Sequence, residues 1–217
     1  MQQVNQRIET ADYVERGIYS AEGLEARPQT LMTAWTNEGF FAEVVVLVEG
    51  EGDRVVVLGA AASMNHNLDS MDIAVIPCLG KTNLHKAATV FEALRLPVYV
   101  IWDSDRGNRE KKVGDNHRLL RFFGAKVEDY PSAVEDQYAC LEVDLDTTTR
   151  AEIREQLFDG LPSQAQQQYG YDSRDQARKN PSVIHWIFGE ALLQGKESET
   201  LRAIVQQMVL LRSQVDG

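Results

Sequence analysis

Two acidic clusters stand out in this chain because each directly follows an apolar run. Glu49 and Asp53 lie in VVVLVEGEGD, and Asp103 and Asp105 lie in VYVIWDSD. Runs of aliphatic and β-branched residues of this length are typical of buried strands in a parallel sheet. Because ligand sites in open α/β sheets lie beyond the carboxyl ends of the strands, we expect the four carboxylates at one rim. With no histidine or cysteine among them, these oxygen donors indicate Mg²⁺ or Mn²⁺.

The two clusters offer enough carboxylates for two ions. Residues two apart in an extended segment face the same side, so Asp103 and Asp105 are expected to meet one ion. Glu49 is interpreted as a metal ligand or a proton-transfer group. Glu142, in CLEVDL, is a candidate ligand for a second ion, with a plain carboxylate on a strand face as the alternative. Two ions about 3.5–4 Å apart would activate water and stabilise the leaving oxygen of a phosphodiester.

Basic side chains follow the second acidic cluster. Residues 106–126 hold seven Lys or Arg residues against two acids, although the whole chain has a net charge of -11. The net charge argues against binding nucleic acid by bulk electrostatics, whereas a local basic patch beside a metal site suits a DNA phosphodiester. A solvated helix face is the alternative. The candidate nucleic-acid-binding residues are Lys81, Arg106, Arg109, Lys111 and Lys112; Lys81 would hold a phosphate as a point charge or stay solvated.

The elements that must position these groups alternate between strand and helix. This alternation predicts a largely parallel sheet with helical crossovers. Predicted strands cover residues 43–48, 72–77, 98–102 and 126–129, and a further strand is expected within 138–145. Helices are predicted from residue 83, over 117–123, and through most of the chain after residue 147, with starts near Pro181 and residue 197.

Residues 53–62 are ambiguous between helix and strand. Arg54–Leu58 prefers strand by propensity, and EGEGD resembles a hairpin turn. A hairpin, however, would remove the crossover to the next strand and carry Asp53 away from Asp103. Packing of the valines against the sheet can outweigh their modest helix penalty, roughly 0.5 kcal/mol each. We therefore predict a helix.

The ordered motifs resemble a known family. FFAEVVVLVEGEGDR, IPCLGKTNL, LPVYVIWDSD and the later ARKNP resemble the Toprim domain, and most closely the carboxy-terminal half of OLD (overcoming lysogenization defect) family nucleases. The resemblance is strong over residues 38–130 and looser as far as Pro181. It implies an α/β Toprim (Rossmann-like), mostly parallel sheet flanked by helices, with a carboxy-terminal helical appendage. The expected division is a remnant of a preceding segment at 1–38, a Toprim catalytic domain at 39–145 and a helical domain at 146–217.

The resemblance also implies an activity. Relatives of this kind are divalent-metal-dependent DNA endonucleases joined to an amino-terminal ABC-type ATPase, through which a homodimer can form, and phage defence is their implied role. LGKTN lacks the earlier glycine of a phosphate loop, so ATP is expected to act only through a domain absent from this chain. Lys179, in RKNP, is implied to be a catalytic lysine that stabilises charge in the transition state. Its alternative role is a helix-start motif.

Two other readings of the same residues are open. One is a non-catalytic Toprim-like module for DNA binding or assembly, in which the ions are structural. The other is a HAD-type phosphatase, because Asp-x-Asp occurs there too, but that reading leaves Glu49 unexplained. No apolar stretch is long enough to span a membrane and no signal-peptide core is present, so a cytoplasmic location is expected. Cys78 and Cys140 are predicted to be reduced thiols.

Overall fold

The sheet is mostly parallel. The computed structural model describes residues 38–108 and 113–215, and their strands are arranged in the order β2-β1-β3-β5-β4. β1 pairs in parallel with β2 and with β3, and β3 pairs in parallel with β5, whereas β4 runs antiparallel to β5. The predicted α/β architecture is confirmed. The strands are β1 (Val44–Val48), β2 (Ile73–Pro77), β3 (Val98–Asp103), β4 (Ala133–Val134) and β5 (Tyr138–Leu141).

Helices cover both faces of this sheet. In the described part of the chain, three α-helices connect the strands and five follow β5. In chain order they are α1 (Glu51–Ser63), α2 (Lys81–Ala93), α3 (Gly114–Phe122), α4 (Leu145–Ile153), α5 (Glu155–Tyr169), α6 (Arg174–Arg178), α7 (Pro181–Leu193) and α8 (Glu199–Ser213).

The side chains of β1 alternate between two apolar layers. Val44, Val46 and Val48 pack in the cluster that contains α1, α7 and α8, whereas Val45 and Leu47 pack in the cluster that contains α2 and α3. Both faces are therefore buried, which explains why the strand reads as an unbroken apolar run. Since α1 follows β1 on one face and α3 follows β3 on the other, a crevice is expected at the carboxyl ends of β1 and β3.

The ambiguous segment after β1 is a helix, as predicted. α1 begins at Glu51, and its Val55, Val56 and Val57 are buried against the sheet. The start is fixed by Asp53, whose Oδ2 accepts a hydrogen bond from the backbone N–H of Gly50 at 2.9 Å. A carboxylate in the first turn accepts from an otherwise unpaired N–H. Its negative charge also interacts favourably with the positive end of the helix dipole. Tertiary packing and this cap outweigh the strand propensity of the valines.

The carboxy-terminal helices pack against α1 and form the predicted appendage. α7 begins at Pro181, and the Asn180 side chain caps it by accepting from the Ser182 N–H at 2.9 Å. The contact between α1 and α7 is close at Gly59, where an added Cβ would lie 2.3 Å from Cγ2 of Ile184. The appendage therefore shares one apolar cluster with the sheet.

One predicted strand is wrong. Residues 126–129 form no strand, and their side chains are exposed; Val127, the one aliphatic residue there, is 39% exposed. The position beside β3 belongs instead to β5, whose Ala139, Cys140 and Leu141 are buried. The segment 126–129 lacks the apolar residues needed to enter a layer that is covered on both faces.

Two smaller findings complete the fold. None of the described helices is both long enough and apolar enough to cross a bilayer. Cys78 and Cys140 are free thiols, and burial raises the pKa of each to about 12. The predicted remnant at residues 1–38 falls outside the described residues except for its last position.

Candidate active site

The carboxyl ends of β1 and β3 lie side by side and bring the two acidic clusters to one rim. The strands pair in parallel, with Leu47 opposite Val100. Glu49 follows β1 directly, and its Oε1 accepts a hydrogen bond from the backbone N–H of Asp103 at 2.9 Å. Glu49 and Asp103 are thus in contact, as their positions after buried strands predict.

Asp53 reaches the same rim from the first turn of α1. Its carboxylate is held by the N–H of Gly50, and its charge is one of those that act on Asp103. Asp103 in turn accepts a hydrogen bond through Oδ1 from the N–H of Leu145 at 2.9 Å. These backbone contacts fix the orientation of both carboxylates.

Residues that the sequence analysis missed complete an acidic depression of about 350 Å³ at this rim. Asp144 enters it as the amino cap of α4, and Asp146 enters it from the first turn of that helix. The sequence signal was available: EVDLD follows the apolar YACL, just as the first two acidic clusters follow their strands. The depression is lined by Gly52, Asp53, Asp103, Asp144, Asp146, Thr147 and Arg150.

The acidic depression carries more negative charge than its surroundings balance. Burial raises the pKa of Asp103 to about 9, and the nearby charges of Asp53, Glu49 and Asp144 add to that shift. Burial likewise raises the pKa of Asp53 to about 6, against the opposing effect of its hydrogen bond from Gly50. Carboxylates that are buried together favour either a proton or a cation.

The donor set suits a hard divalent ion. The depression offers carboxylate oxygens without histidine or cysteine, which is the chemistry that Mg²⁺ and Mn²⁺ prefer. Among the residues that the structure describes, no three His, Cys, Asp or Glu side chains are yet gathered closely enough to hold an ion. Mg²⁺ is commonly held by one or two carboxylates together with water.

Asp105 lies in a different environment from Asp103. β3 ends at Asp103, and Asp105 has a φ of 60°, in the left-handed region. The premise that the two residues share one face of an extended segment is therefore wrong. The Asp105 carboxylate forms an ion pair with the Lys81 ammonium, on the side of the rim where α2 begins.

Lys81 is buried at the start of α2. Only 7% of the residue is exposed, so it is not a solvated lysine. Its Nζ contacts Asp105, donates to Oδ1 of Asn116 at 3.2 Å and lies 3.9 Å from Oε1 of Glu49. Asn116 is itself held by the backbone oxygens of Ser104 and Asp129. The ammonium is engaged inside the protein, whereas a phosphate contact or a solvated side chain was expected from the sequence.

The remaining predicted residues lie at the edge of the rim or outside the described part. Glu142 forms an ion pair with Arg106, and both side chains are about half exposed. Glu142 is not among the residues that line the acidic depression. The CZ atom of Arg106 also lies 6.0 Å from the ring centroid of Tyr130. Arg109, Lys111 and Lys112 fall in the gap between residues 108 and 113, so the structure does not describe them.

The RKNP segment joins α6 to α7. Lys179 is exposed and forms the carboxyl cap of α6. Its neighbour Arg178 turns inward: Nη1 lies 3.0 Å from Oδ2 of Asp146, and the guanidinium stands 5.4 Å from the centroid of the Phe158 ring. The helical appendage therefore does fold back to the acidic depression. Arg178, which sequence reasoning overlooked, is the residue that makes the contact.

The chain is similar to proteins of one family. Residues 40–105 match the family model described as the overcoming lysogenization defect protein-like, TOPRIM domain. The OLD nuclease of Thermus scotoductus is 39% identical over 69 residues, which is 32% of this chain and 13% of that protein. The match thus spans about one eighth of the relative's length.

Solved structures agree on the fold. The carboxy-terminal region of the Burkholderia pseudomallei OLD protein superposes with a TM-score of 0.51 and 18% identity, over 81% of this chain and all of that one. The corresponding region of the Xanthomonas campestris pv. campestris OLD protein gives 0.50 and 18%, over 82% and 97%. The sheet and its acidic rim agree with the family match, in which residues 40–105 are similar to an OLD-like Toprim domain.

Proposed function

We propose that this chain is a divalent-metal-dependent endonuclease that hydrolyses DNA phosphodiester bonds. The observation that carries the proposal is the convergence of Glu49, Asp53 and Asp103 at the carboxyl ends of β1 and β3, next to two further aspartates. The family match and the name of the Thermus relative support a nuclease-related function. The raised pKa of Asp103 supports a cation partner at this point.

Mg²⁺ or Mn²⁺ would be held by Asp53 and Asp103, with Glu49 and the two new aspartates of the acidic depression completing the set. Such an ion lowers the pKa of bound water and offsets negative charge on a phosphodiester. We assign Glu49, whose Oε1 accepts the Asp103 N–H, to ion contact or to proton transfer. Asp105 and Glu142 are paired with Lys81 and Arg106, which leaves them as weaker candidates for ligands of a second ion.

Cations around the rim would hold the DNA. Arg178 contacts Asp146 of the acidic depression, and Lys179, the next residue, is exposed at the carboxyl cap of α6. We assign it the stabilisation of charge that builds on the transferring phosphoryl group. Arg106, with Arg109, Lys111 and Lys112, would contact the backbone of the DNA outside the reacting centre.

We further propose that the chain works as part of a larger protein. The Toprim domain would cover residues 39–145 and the helical domain residues 146–217, after a remnant at 1–38. An amino-terminal ABC-type ATPase domain would supply any dependence on ATP and a homodimer contact. A cytoplasmic location and a role in phage defence belong to the same proposal.

One alternative is a protein with the same fold but without catalytic activity. The chain would then be a DNA-binding or assembly module, and the observation in its favour is that no three ligand side chains in the described residues are gathered tightly enough for an ion. A HAD-type phosphatase is disfavoured, because the Toprim match includes both Asp103 and Asp105.

The test is cleavage of supercoiled plasmid by the isolated chain with Mn²⁺ or Mg²⁺ and without ATP. We expect nicked or linear product, none in EDTA, and a loss of more than about hundredfold in rate for Asp103→Asn. Asp69→Asn, in the turn before β2, is the matched control and should cleave normally. DNA affinity in Ca²⁺ separates the alternatives: DNA binding without cleavage in any metal would favour the non-catalytic module.

A further inference from the structure

Lys81 is an internal cation set among acidic groups from separate elements. Its ammonium contacts Asp105 after β3, lies 3.9 Å from Glu49 after β1, and donates to Asn116 on α3 at 3.2 Å. The side chain is only 7% exposed. Burying an ammonium in this way is costly unless charges and acceptors surround it, and here they do.

The position of Lys81 is not explained by its helix. It is the first residue of α2, and the first turn of that helix contains no acid. A positive charge at the amino end of a helix opposes the helix dipole, at a cost of about 0.3–1 kcal/mol. The preceding Gly80, with a φ of 119°, makes the turn that places the lysine there, and its N–H binds the backbone oxygen of Glu49 at 2.8 Å. The backbone is thus built to hold the ammonium next to the acids.

The two sides of the rim are balanced differently. On the α1 side, Asp53 and Asp103 lie together in the acidic depression and are stabilised there by backbone N–H groups. On the α2 side, Glu49 and Asp105 face an ammonium, which takes up the space between them. Two carboxylates and an amide oxygen around one positive centre is also the kind of donor set that a hard divalent ion would use.

We propose that the Lys81 ammonium takes the place of a second divalent ion, so that this chain binds a single ion, on the Asp53 and Asp103 side. The proposal rests on the proposed metal-dependent function and replaces the two-ion arrangement expected from the sequence. The positive charge of Lys81 balances the carboxylates of Glu49 and Asp105, so these two residues need no metal ion between them. Without the lysine, Glu49, Asp105 and Asn116 would present three oxygen-bearing side chains to a cation.

The experiment is calorimetric titration of the full chain with MnCl₂, without DNA. Wild type should bind one ion per chain. Lys81→Met, which keeps the length and loses the charge, should bind a second ion. Lys81→Arg should remain at one ion. Circular dichroism and a thermal melt of each variant establish that it is folded.

Other outcomes bear on the two proposals separately. Two ions on the wild type, or one ion of unchanged affinity on a folded Lys81→Met, would overturn the role of Lys81. Asp103→Asn should lose the ion of the wild type, which tests the proposed function by itself. If wild type bound no Mn²⁺, the metal-dependent function would be contradicted; an ion gained by Lys81→Met would then still support the exchange of lysine for metal.

Discussion

Asp103 and Asp105 are two residues apart, yet they face opposite electrostatic surroundings. Asp103 lies in the acidic depression with Asp53, and the pKa of its carboxyl is raised to about 9 by burial and by neighbouring acids. Asp105 lies against the buried ammonium of Lys81. Because the strand ends at Asp103 and Asp105 takes a positive φ, one short motif supplies both halves of the rim.

The difference separates two ways of handling buried negative charge. The α2 side uses a covalently fixed cation, which is present before any ligand arrives. On the α1 side the carboxylates repel one another, so this side favours the binding of an added cation. Binding of a cation to the α1 side would therefore stabilise the folded protein by mass action.

The largest expected effect is an opposite change in stability on the two sides. In EDTA at pH 8, Asp105→Asn should lower the free energy of unfolding by about 2–3 kcal/mol, because the buried Lys81 ammonium loses the carboxylate that pairs with it. Asp103→Asn should raise it by about 1–2 kcal/mol, because the folded state then no longer has to take up a proton at this carboxyl. Urea denaturation of both variants measures the pair. A loss of stability in both would contradict the comparison.

A smaller effect is expected at the edge of the acidic depression. Lys179→Ala should lower the cleavage rate by more than about tenfold, or roughly 1.4 kcal/mol of transition-state stabilisation, with Mn²⁺ affinity unchanged. Arg178→Ala is the informative neighbour, because it removes the ion pair to Asp146 and should lower stability as well as rate. Kinetics at saturating metal and DNA decide this. A wild-type rate for Lys179→Ala would reduce RKNP to the start of α7.

The smallest effect is a pH dependence of the metal-free protein. The folded pKa of Asp103 is about 9, against an ordinary value of 3.8, so between these values the folded state holds a proton that the unfolded state has released. Stability should therefore fall as pH rises, by about 1 kcal/mol between pH 7 and pH 8. Asp53, with a pKa of about 6, adds to the same trend at lower pH.

Denaturation in EDTA at a series of pH values gives this slope. The matched control is Asp103→Asn, in which the slope above pH 7 should flatten. Saturating Mn²⁺ should also flatten it, since the ion replaces the proton. A wild-type protein whose stability rises from pH 7 to pH 8 would rule out the repulsion inferred for the acidic depression.

The sequence predicted those parts of the rim that follow from local pattern. Unbroken apolar runs identified β1 and β3, and their ends located Glu49 and Asp103. The helix after β1 followed from the need for a crossover and for Asp53 at the rim, although the valines alone favour strand. These inferences succeeded because a strand that is buried on both faces consists almost entirely of apolar residues, which can be seen directly in the sequence.

The parts that were missed depend on contacts between distant segments. Asp144 fell inside the strand that was expected within residues 138–145, and Asp146 lies in the first turn of α4, so neither was recognised as part of an acidic cluster after a strand. The left-handed turn at Asp105 and the burial of Lys81 depend on neighbours 24 residues apart along the chain. Likewise, Arg178 rather than Lys179 contacts the acidic depression, because the phase of the short helix α6 decides which residue faces inward.

The most direct test of the account is a crystal soaked in MnCl₂ and measured at a wavelength where manganese scatters anomalously. We expect an anomalous peak within coordination distance of Asp53 and Asp103, about 2.0–2.6 Å, with Lys81 still paired to Asp105. An ion that bridges Asp103 and Asp105, with Lys81 displaced, would contradict the division of the rim into a metal-binding side and a lysine-balanced side.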